Sequence, residues 1–231
     1  GAKAGYASSP EESVNYVDAH DNETLYDLGV FKLRTDLPMA DRVRMNTVSL
    51  ATVALGQSPS FWSSGTEMLR SKSLDRDSFN SGDHFNSIDW TGQDNGFGKG
   101  LPVKSKNGEK WPIMTPLLQD PTLKPSAADI SAAQAQSMDL LRLRSSTPLF
   151  SLGDAGLIKA KLSFPGSGPE QAPGVITMLV NDPADGSAGG VDSDPALAGV
   201  LTVFNASDEP ITQVVPGLAG LRAVGRAGRW H

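Results

Sequence analysis

The chain has 231 residues, of which 39% are hydrophobic, with 24 glycines, 16 prolines and a net charge of −6. That length fits one large domain or two small ones, and the acidic balance argues against a nucleic-acid footprint. Without cysteine there is neither a disulfide frame nor a thiolate metal site, and no apolar run approaches the roughly 20 residues that span a bilayer.

In chain order, residues 1–12 read as loop. The opening Gly1-Ala2-Lys3-Ala4-Gly5-Tyr6 has no apolar core of a signal peptide, and the absence of a first Met reads as a fragment or a processed product. Ser13–Val17 reads as a short strand that breaks into a cluster of acids, an imidazole and an amide. Residues 22–37 read as a loop with a helical turn. Met39–Leu55 predicts a helix, with Val43, Val48, Leu50, Ala51 and Leu55 near helical spacing and Gly56 as its stop. Ser58–Trp62 is a second candidate strand. Residues 63–125 are polar and rich in Gly, Pro, Asn and Asp; a stretch that long is functional or hides a helix.

Ser126–Ser145 predicts the second strong helix, with Ser126 as N-cap and Asp129 three residues on as a variant capping box. Arg142 and Arg144 sit where cations favour a helix C-terminus, and Pro148 blocks continuation. Beyond Ser146 the texture changes. Gly156–Phe164, Gly174–Val180 and Gly199–Asn205 are β-branched or apolar runs between turn signals and read as an antiparallel β domain. Leu218–His231, with Arg222, Arg226 and Arg229 among Gly and Ala, does not read as a finished strand.

The order is therefore strand, helix, strand, long loop, helix, then all-β. Two strand–helix units are too few for a closed (β/α)8 barrel, which takes about 250 residues. The expected fold is α/β plus all-β: the last part of a barrel over residues 1–145, followed by an antiparallel β-sandwich over 146–231, both incomplete. A partial barrel exposes strand edges and an apolar face. The chain is accordingly expected to associate unless its missing part is present, and a soluble monomer with cooperative melting would refute that.

The most informative segment is Val14-Asn15-Tyr16-Val17-Asp18-Ala19-His20-Asp21-Asn22-Glu23-Thr24-Leu25-Tyr26-Asp27. A strand that ends in polar groups is how an α/β barrel presents a catalytic loop. A glycosidic bond breaks through a transition state with positive charge on the sugar ring, which an ionised carboxylate stabilises. An imidazole beside it can hydrogen-bond a sugar hydroxyl, and an amide can both donate and accept. Taken alone, a His-Asp pair equally fits a polar loop in which Asp21 or Asn22 caps a helix.

The wording of the segment resembles the strand-end motif of pullulanases and limit dextrinases, the α-1,6-cleaving branch of the α-amylase superfamily. A second run, from Gly65-Thr66-Glu67-Met68-Leu69-Arg70-Ser71-Lys72-Ser73 to Ser81-Gly82-Asp83-His84-Phe85-Asn86, is similar to the loop after the eighth barrel strand of that family. A third, Arg142-Leu143-Arg144-Ser145-Ser146-Thr147-Pro148-Leu149-Phe150-Ser151-Leu152-Gly153, resembles its passage from the last barrel helix to the C-terminal β domain. The resemblance implies a retaining enzyme acting on pullulan and on starch- or glycogen-derived dextrins. It implies Asp21 as transition-state stabiliser, His20 and Asn22 as sugar-binding, and Asp18 and Asp27 as supporting residues. Arg76 and Asp77 would hold vicinal hydroxyls, with Phe79 or Phe85 stacking on a sugar face; a self-bonded surface loop is the other reading of that stretch. The family often has Tyr or Trp where this chain has Phe79 and His84.

The family's nucleophile and general acid lie in an Arg-x-Asp strand end and a Gly-Glu-x-Trp-like strand end that occur nowhere here, so the chain alone is expected to be inactive. The enzyme's surroundings would be extracellular or the cell surface. No cofactor is required by this reading, a net negative charge suits a neutral polyol, and neither nucleic acid nor membrane is an expected partner. Asp182, Asp185, Asp192 and Asp194 crowd one loop that either is solvated or attracts a structural Ca²⁺, although their spacing does not match an EF-hand. Three histidines far apart give no zinc spacing. Trp62, Trp90 and Trp111 either line a glucan cleft or pack locally. Three other readings remain: a non-catalytic glucan-binding fragment, another debranching enzyme or amylase of the superfamily, and an inert gene fragment.

Overall fold

The computed structural model describes residues 7–169, 171–212, 214, 215 and 218. The Arg-bearing tail singled out above, apart from Leu218, and the first six residues lie outside these. Five helices longer than one turn are present among the described residues: α1 (Leu25–Lys32), α2 (Met39–Ala54), α3 (Trp111–Gln119), α4 (Ala127–Ser145) and α5 (Ala155–Lys161). Three strands, β1 (Leu162–Ser163), β2 (Val175–Asn181) and β3 (Gly199–Asn205), form one antiparallel sheet in the order β1-β2-β3. The chain divides into two compact units.

One unit holds Tyr16–Leu50 and Phe61–Asp139. Its core is Tyr26, Val30, Val43, Leu69, Leu74, Phe97, Met114, Leu123 and Ala133, flanked by Phe31, Met39, Trp111, Leu117 and Leu118. Tyr26 meets Phe97 edge to face, with ring centroids 6.1 Å apart. Its hydroxyl, buried with the ring, donates to the Leu123 carbonyl at 2.5 Å, which satisfies a polar group that would be costly to bury alone. The helix hidden in the long polar stretch is α3, nucleated with Pro112 in its first turn and kept short by Pro116, which lacks an N–H. Trp111 therefore packs on the core and donates from Nε1 to the Pro102 carbonyl at 2.9 Å. The capping box at α4 forms: Ser126 Oγ accepts from the Asp129 N–H at 3.3 Å, while the Asp129 carboxylate accepts from the Ser126 N–H at 2.8 Å.

The other unit draws on the segment ending at Asn15, on Ala51–Ser60 and on the chain from Leu140 onward. The two strands expected at 13–17 and 58–62 shrink to a single parallel bridge, Asn15 to Ser60. The Asn15 N–H donates to the Pro59 carbonyl at 3.0 Å, but Pro59 has no N–H with which to extend a ladder. Arg144 donates to the carbonyls of Ala54, Gly56 and Ser58, so a cation near the end of α4 satisfies the orphan carbonyls past the end of α2.

The run 156–164, expected as a strand, is mostly helix. Gly153 turns the chain at φ 71°, and Asp154 caps α5 by accepting from the Leu157 N–H at 2.8 Å. Of Ala155-Gly156-Leu157-Ile158-Lys159-Ala160-Lys161 only Ile158 is β-branched, so local propensity favours the helix. Its last residue, Lys161, is 1% exposed. The Lys161 ammonium forms an ion pair with Asp182 in which neither side chain is exposed, and it also donates to the Val191 carbonyl at 2.7 Å. β2 and β3 run in register from Val175 opposite Asn205 to Asn181 opposite Gly199.

Candidate functional site

The two segments that carried the sequence reading meet in space and are stitched together by three buried charges. The first is Asp18, which accepts from the Leu25 N–H at 3.0 Å and from the Thr66 hydroxyl at 2.7 Å. Burial raises its pKa; the bonds from Leu25 and Thr66 and the nearby Arg70 and Lys72 only partly offset that. The second is Asp27, with no exposed surface. Its carboxylate accepts from the Ser71 hydroxyl at 2.5 Å, the Lys72 N–H at 2.8 Å and the Leu74 N–H at 3.3 Å. Burial still wins over these donors and pushes Asp27 up to about 6.

The third is Lys72, 3% exposed. Its ammonium donates to the backbone carbonyls of His20 at 3.2 Å and Asn22 at 2.8 Å. Burial lowers its pKa, against the opposing charges of Asp27, Asp75 and Asp21. Asp18 and Asp27 are thus buried and hydrogen-bonded to both segments. Lys72 was not singled out, because a lysine inside a polar loop ordinarily points to water.

Above this base His20, Asp21, Asn22 and Arg76 stand in solvent, while Asp77 is half-buried. His20 and Asp21 are exposed over 92% and 80% of their side chains, with Nε2 to Oδ1 at 3.6 Å. Asn22 is exposed and left-handed, at φ 63°. Leu69, Ser73 and Leu74 complete the set of non-glycine residues with positive φ among those described. All four fall within the two motif segments. Such backbone is costly for an L-residue and persists only where its surroundings enforce it, typically at functional sites.

Arg76 is exposed, and its N–H reaches Asn107 Oδ1 at 3.4 Å. Asp77 pairs with Lys106 at 3.0 Å, and its N–H donates to the buried Asp75. Asp75 also accepts from the Ser81 hydroxyl and from Asn107 Nδ2, so the loop from Asp75 to Ser81 is self-bonded at its base. Phe79 is 78% exposed, with the Lys106 ammonium 5.5 Å from its ring centroid. Burial raises Glu23, but the hydrogen bond from Lys110 and the charges of Lys110 and Arg76 outweigh it and hold the carboxyl below its usual value. His84 instead bonds the Lys99 carbonyl and packs edge-on against Phe85. An exposed carboxylate, imidazole and amide over a rigid base, with an exposed ring and a guanidinium on the adjoining loop, can hydrogen-bond and stack on a neutral polyol without a strong field.

Asp182, Asp185 and Asp194 of the 182–194 loop are engaged locally, whereas Asp192 Oδ1 is buried without a hydrogen-bond partner. Burial acts to raise Asp182, but the Lys161 hydrogen bond and the N–H groups of Ser193 and Asp194 overcome it, so the carboxyl lies below its ordinary value. Asp194 accepts from the Thr147 hydroxyl at 2.6 Å and Asp185 from the Ser187 N–H at 2.9 Å. Among the described residues no group of three or more His, Asp or Glu is placed to hold a metal ion.

A family model described as α-1,6-glucosidases, pullulanase-type, C-terminal, matches residues 92–225. The chain is 42% identical over 213 residues to the chloroplastic pullulanase 1 of Arabidopsis thaliana, covering 92% of this chain and 22% of that protein. It is 41% identical over 212 residues to the pullulanase of Klebsiella pneumoniae, covering 92% of this chain and 19% of that one. The crystal structure of apo pullulanase from Klebsiella pneumoniae superposes with a TM-score of 0.83 at 38% identity, over 89% of this chain and 22% of that one. A structure of the same enzyme complexed with maltotriose superposes equally well. The chain belongs to the pullulanase-type α-1,6-glucosidases, and it spans about a fifth of the length of these curated relatives.

Proposed function

We propose that this chain is the C-terminal part of a retaining glycoside hydrolase that cleaves α-1,6 branch linkages in pullulan and in starch or glycogen dextrins. Residues 1–145 complete the catalytic barrel with its seventh and eighth strand–helix units, and 146–231 form the C-terminal β-sandwich domain. Asp21 stabilises the positive charge that develops on the sugar ring. His20 and Asn22 bind the sugar at the cleavage point, and Arg76 and Asp77 hold hydroxyls beside it. The carbohydrate surface works outside the cell or on its surface, and the chemistry needs no cofactor; a bound Ca²⁺ would serve structure alone.

The observation that carries the reading is the convergence of the two motif segments. An exposed His20-Asp21-Asn22 tip rests on buried Asp18, Asp27 and Lys72, and every non-glycine positive φ among the described residues lies there. The maltotriose bound to the Klebsiella pneumoniae relative supports an α-glucan as ligand. The nucleophile and general acid come from the part of the enzyme that this chain does not span, so the chain alone does not turn over.

The test replaces the matching fifth of the Klebsiella pneumoniae pullulanase with this chain and follows maltotriose release from pullulan. The chimera is expected to hydrolyse pullulan and the isolated chain is not. Hydrolysis by the isolated chain, or a folded but inactive chimera, would overturn the reading.

A further inference from the structure

We propose that Lys72 is the positioning residue for Asp21: its buried ammonium ties the carbonyls on either side of Asp21 and so fixes where the exposed carboxylate points. This rests on the functional reading of Asp21 given above. The geometry supports it in four ways. The ammonium spans residues 20 and 22 with bonds of 3.2 and 2.8 Å, bracketing Asp21 without touching its carboxylate. The span encloses a residue, Asn22, held at φ 63°. An asparagine tolerates that conformation but does not enforce it, so a tether is needed to keep the turn populated. The His20 and Asp21 side chains are almost fully solvated, so packing cannot hold them. Finally, the lysine itself is fixed at its backbone, where its N–H donates to Asp27 at 2.8 Å and its carbonyl accepts from the Asp75 N–H at 3.0 Å.

The chemistry explains why a lysine suits the task. An ammonium carries three donors and no acceptor, so it can bond two converging carbonyls at once, and charge strengthens each bond. The neighbouring carboxylates Asp27 and Asp75 offset the cost of burying the cation.

The test compares the chain with its Lys72→Met and Lys72→Arg variants by hydrogen exchange read by mass spectrometry, which follows the chain whether or not it self-associates. Lys72→Met keeps the apolar stem and removes the donors. Exchange in a peptide covering 19–28, where the Leu25, Asp27 and Leu28 N–H groups are hydrogen-bonded just past the tethered turn, is expected to speed up by up to roughly tenfold to a hundredfold, the worth of a charge-assisted hydrogen bond. Peptides from α4 and β2 stay within about twofold, on the scale of surface changes. Lys72→Arg, which keeps charge and donors, restores at least part of the protection. Unchanged exchange at 19–28 in Lys72→Met, equal acceleration everywhere, or identical behaviour of the Met and Arg variants would each overturn the proposal. Pullulan hydrolysis by the Asp21→Asn chimera separates the two readings. If that substitution leaves kcat unaltered while Lys72→Met loosens 19–28 in the chain, the glucan role of Asp21 fails and the tether stands.

Discussion

Replacing Asp27 with Asn should make the protein's stability less dependent on pH and should cost little or nothing at neutral pH. Asp27 is fully buried, and its pKa rises from 3.8 to about 6. That shift corresponds to roughly 3 kcal/mol between its protonated and ionised forms. The sign follows from proton counting. Between the unfolded value of 3.8 and the folded value of about 6, the folded chain holds a proton that the unfolded chain has released. The Asp27 contribution is therefore fully present below 3.8, is lost as pH rises through that window, and stays lost above about 6.

An asparagine oxygen can still accept from the Lys72 and Leu74 N–H groups, both of which bond the same carboxylate oxygen. The amide nitrogen then faces the Ser71 hydroxyl, which can rotate to accept. Alanine instead leaves two buried N–H groups without partners, at about 1–3 kcal/mol each. Urea unfolding at pH 4, 5, 6 and 7 should show Asp27→Asn gaining up to about 3 kcal/mol on the wild type as pH rises, with Asp27→Ala less stable than Asp27→Asn throughout. A wild-type-minus-Asn difference that stays constant from pH 4 to 7, or an Asn variant as unstable as the Ala variant, would refute the reasoning.

Other expectations follow from the same geometry. Lys161→Met strands the unexposed Asp182 carboxylate and should cost about 3–5 kcal/mol in urea unfolding, whereas the double variant Lys161→Met/Asp182→Asn, which removes the charge and keeps an acceptor for the Ser193 and Asp194 N–H groups, should recover most of it. Because Asp182 is held below 3.8 in the fold, its contribution is present above that value and disappears as pH falls through the folded one, which acid titration of the two variants can check. Ser126→Ala removes the N-cap of α4 and should lower stability by about 1 kcal/mol. Gly96→Ala places a Cβ 2.5 Å from the Ser71 carbonyl oxygen at φ +89°. The backbone strain alone should cost about 1–3 kcal/mol, read as a lower melting temperature.

Where local chemistry decides, the sequence was a good guide to the fold. The Ser126/Asp129 pair and the apolar spacing of Met39–Leu55 placed α4 and α2 within a residue or two. The β-branched runs at 174–180 and 199–205 became β2 and β3. The segment 156–164 misled because its flanking glycines looked like strand boundaries, while the Asp154 cap and an interior partner for Lys161 decided for helix. Ser13–Val17 and Ser58–Trp62 read as strands from composition, yet ladder formation needs donors on both sides and Pro59 supplies none.

At the site, the motif wording pointed to His20, Asp21, Asn22, Arg76 and Asp77, and the structure shows where each stands. It could not show that Asp77 is paired with Lys106 or that Lys72 is buried beneath Asp21. Both depend on which distant segments fold over the loop. Trp111, which the sequence left open between lining a cleft and packing locally, packs on the core at the start of the helix that Pro112 opens.

The most direct test of the account is Asp21→Asn in the Klebsiella pneumoniae pullulanase chimera that carries this chain, assayed by maltotriose release from pullulan. An interaction realised only in the transition state lowers kcat and kcat/KM together, so both should fall by roughly 10³-fold or more with KM little changed. Retention of kcat within about tenfold of the unmutated chimera would contradict the assignment of Asp21 and, with it, the role given to the exposed tip.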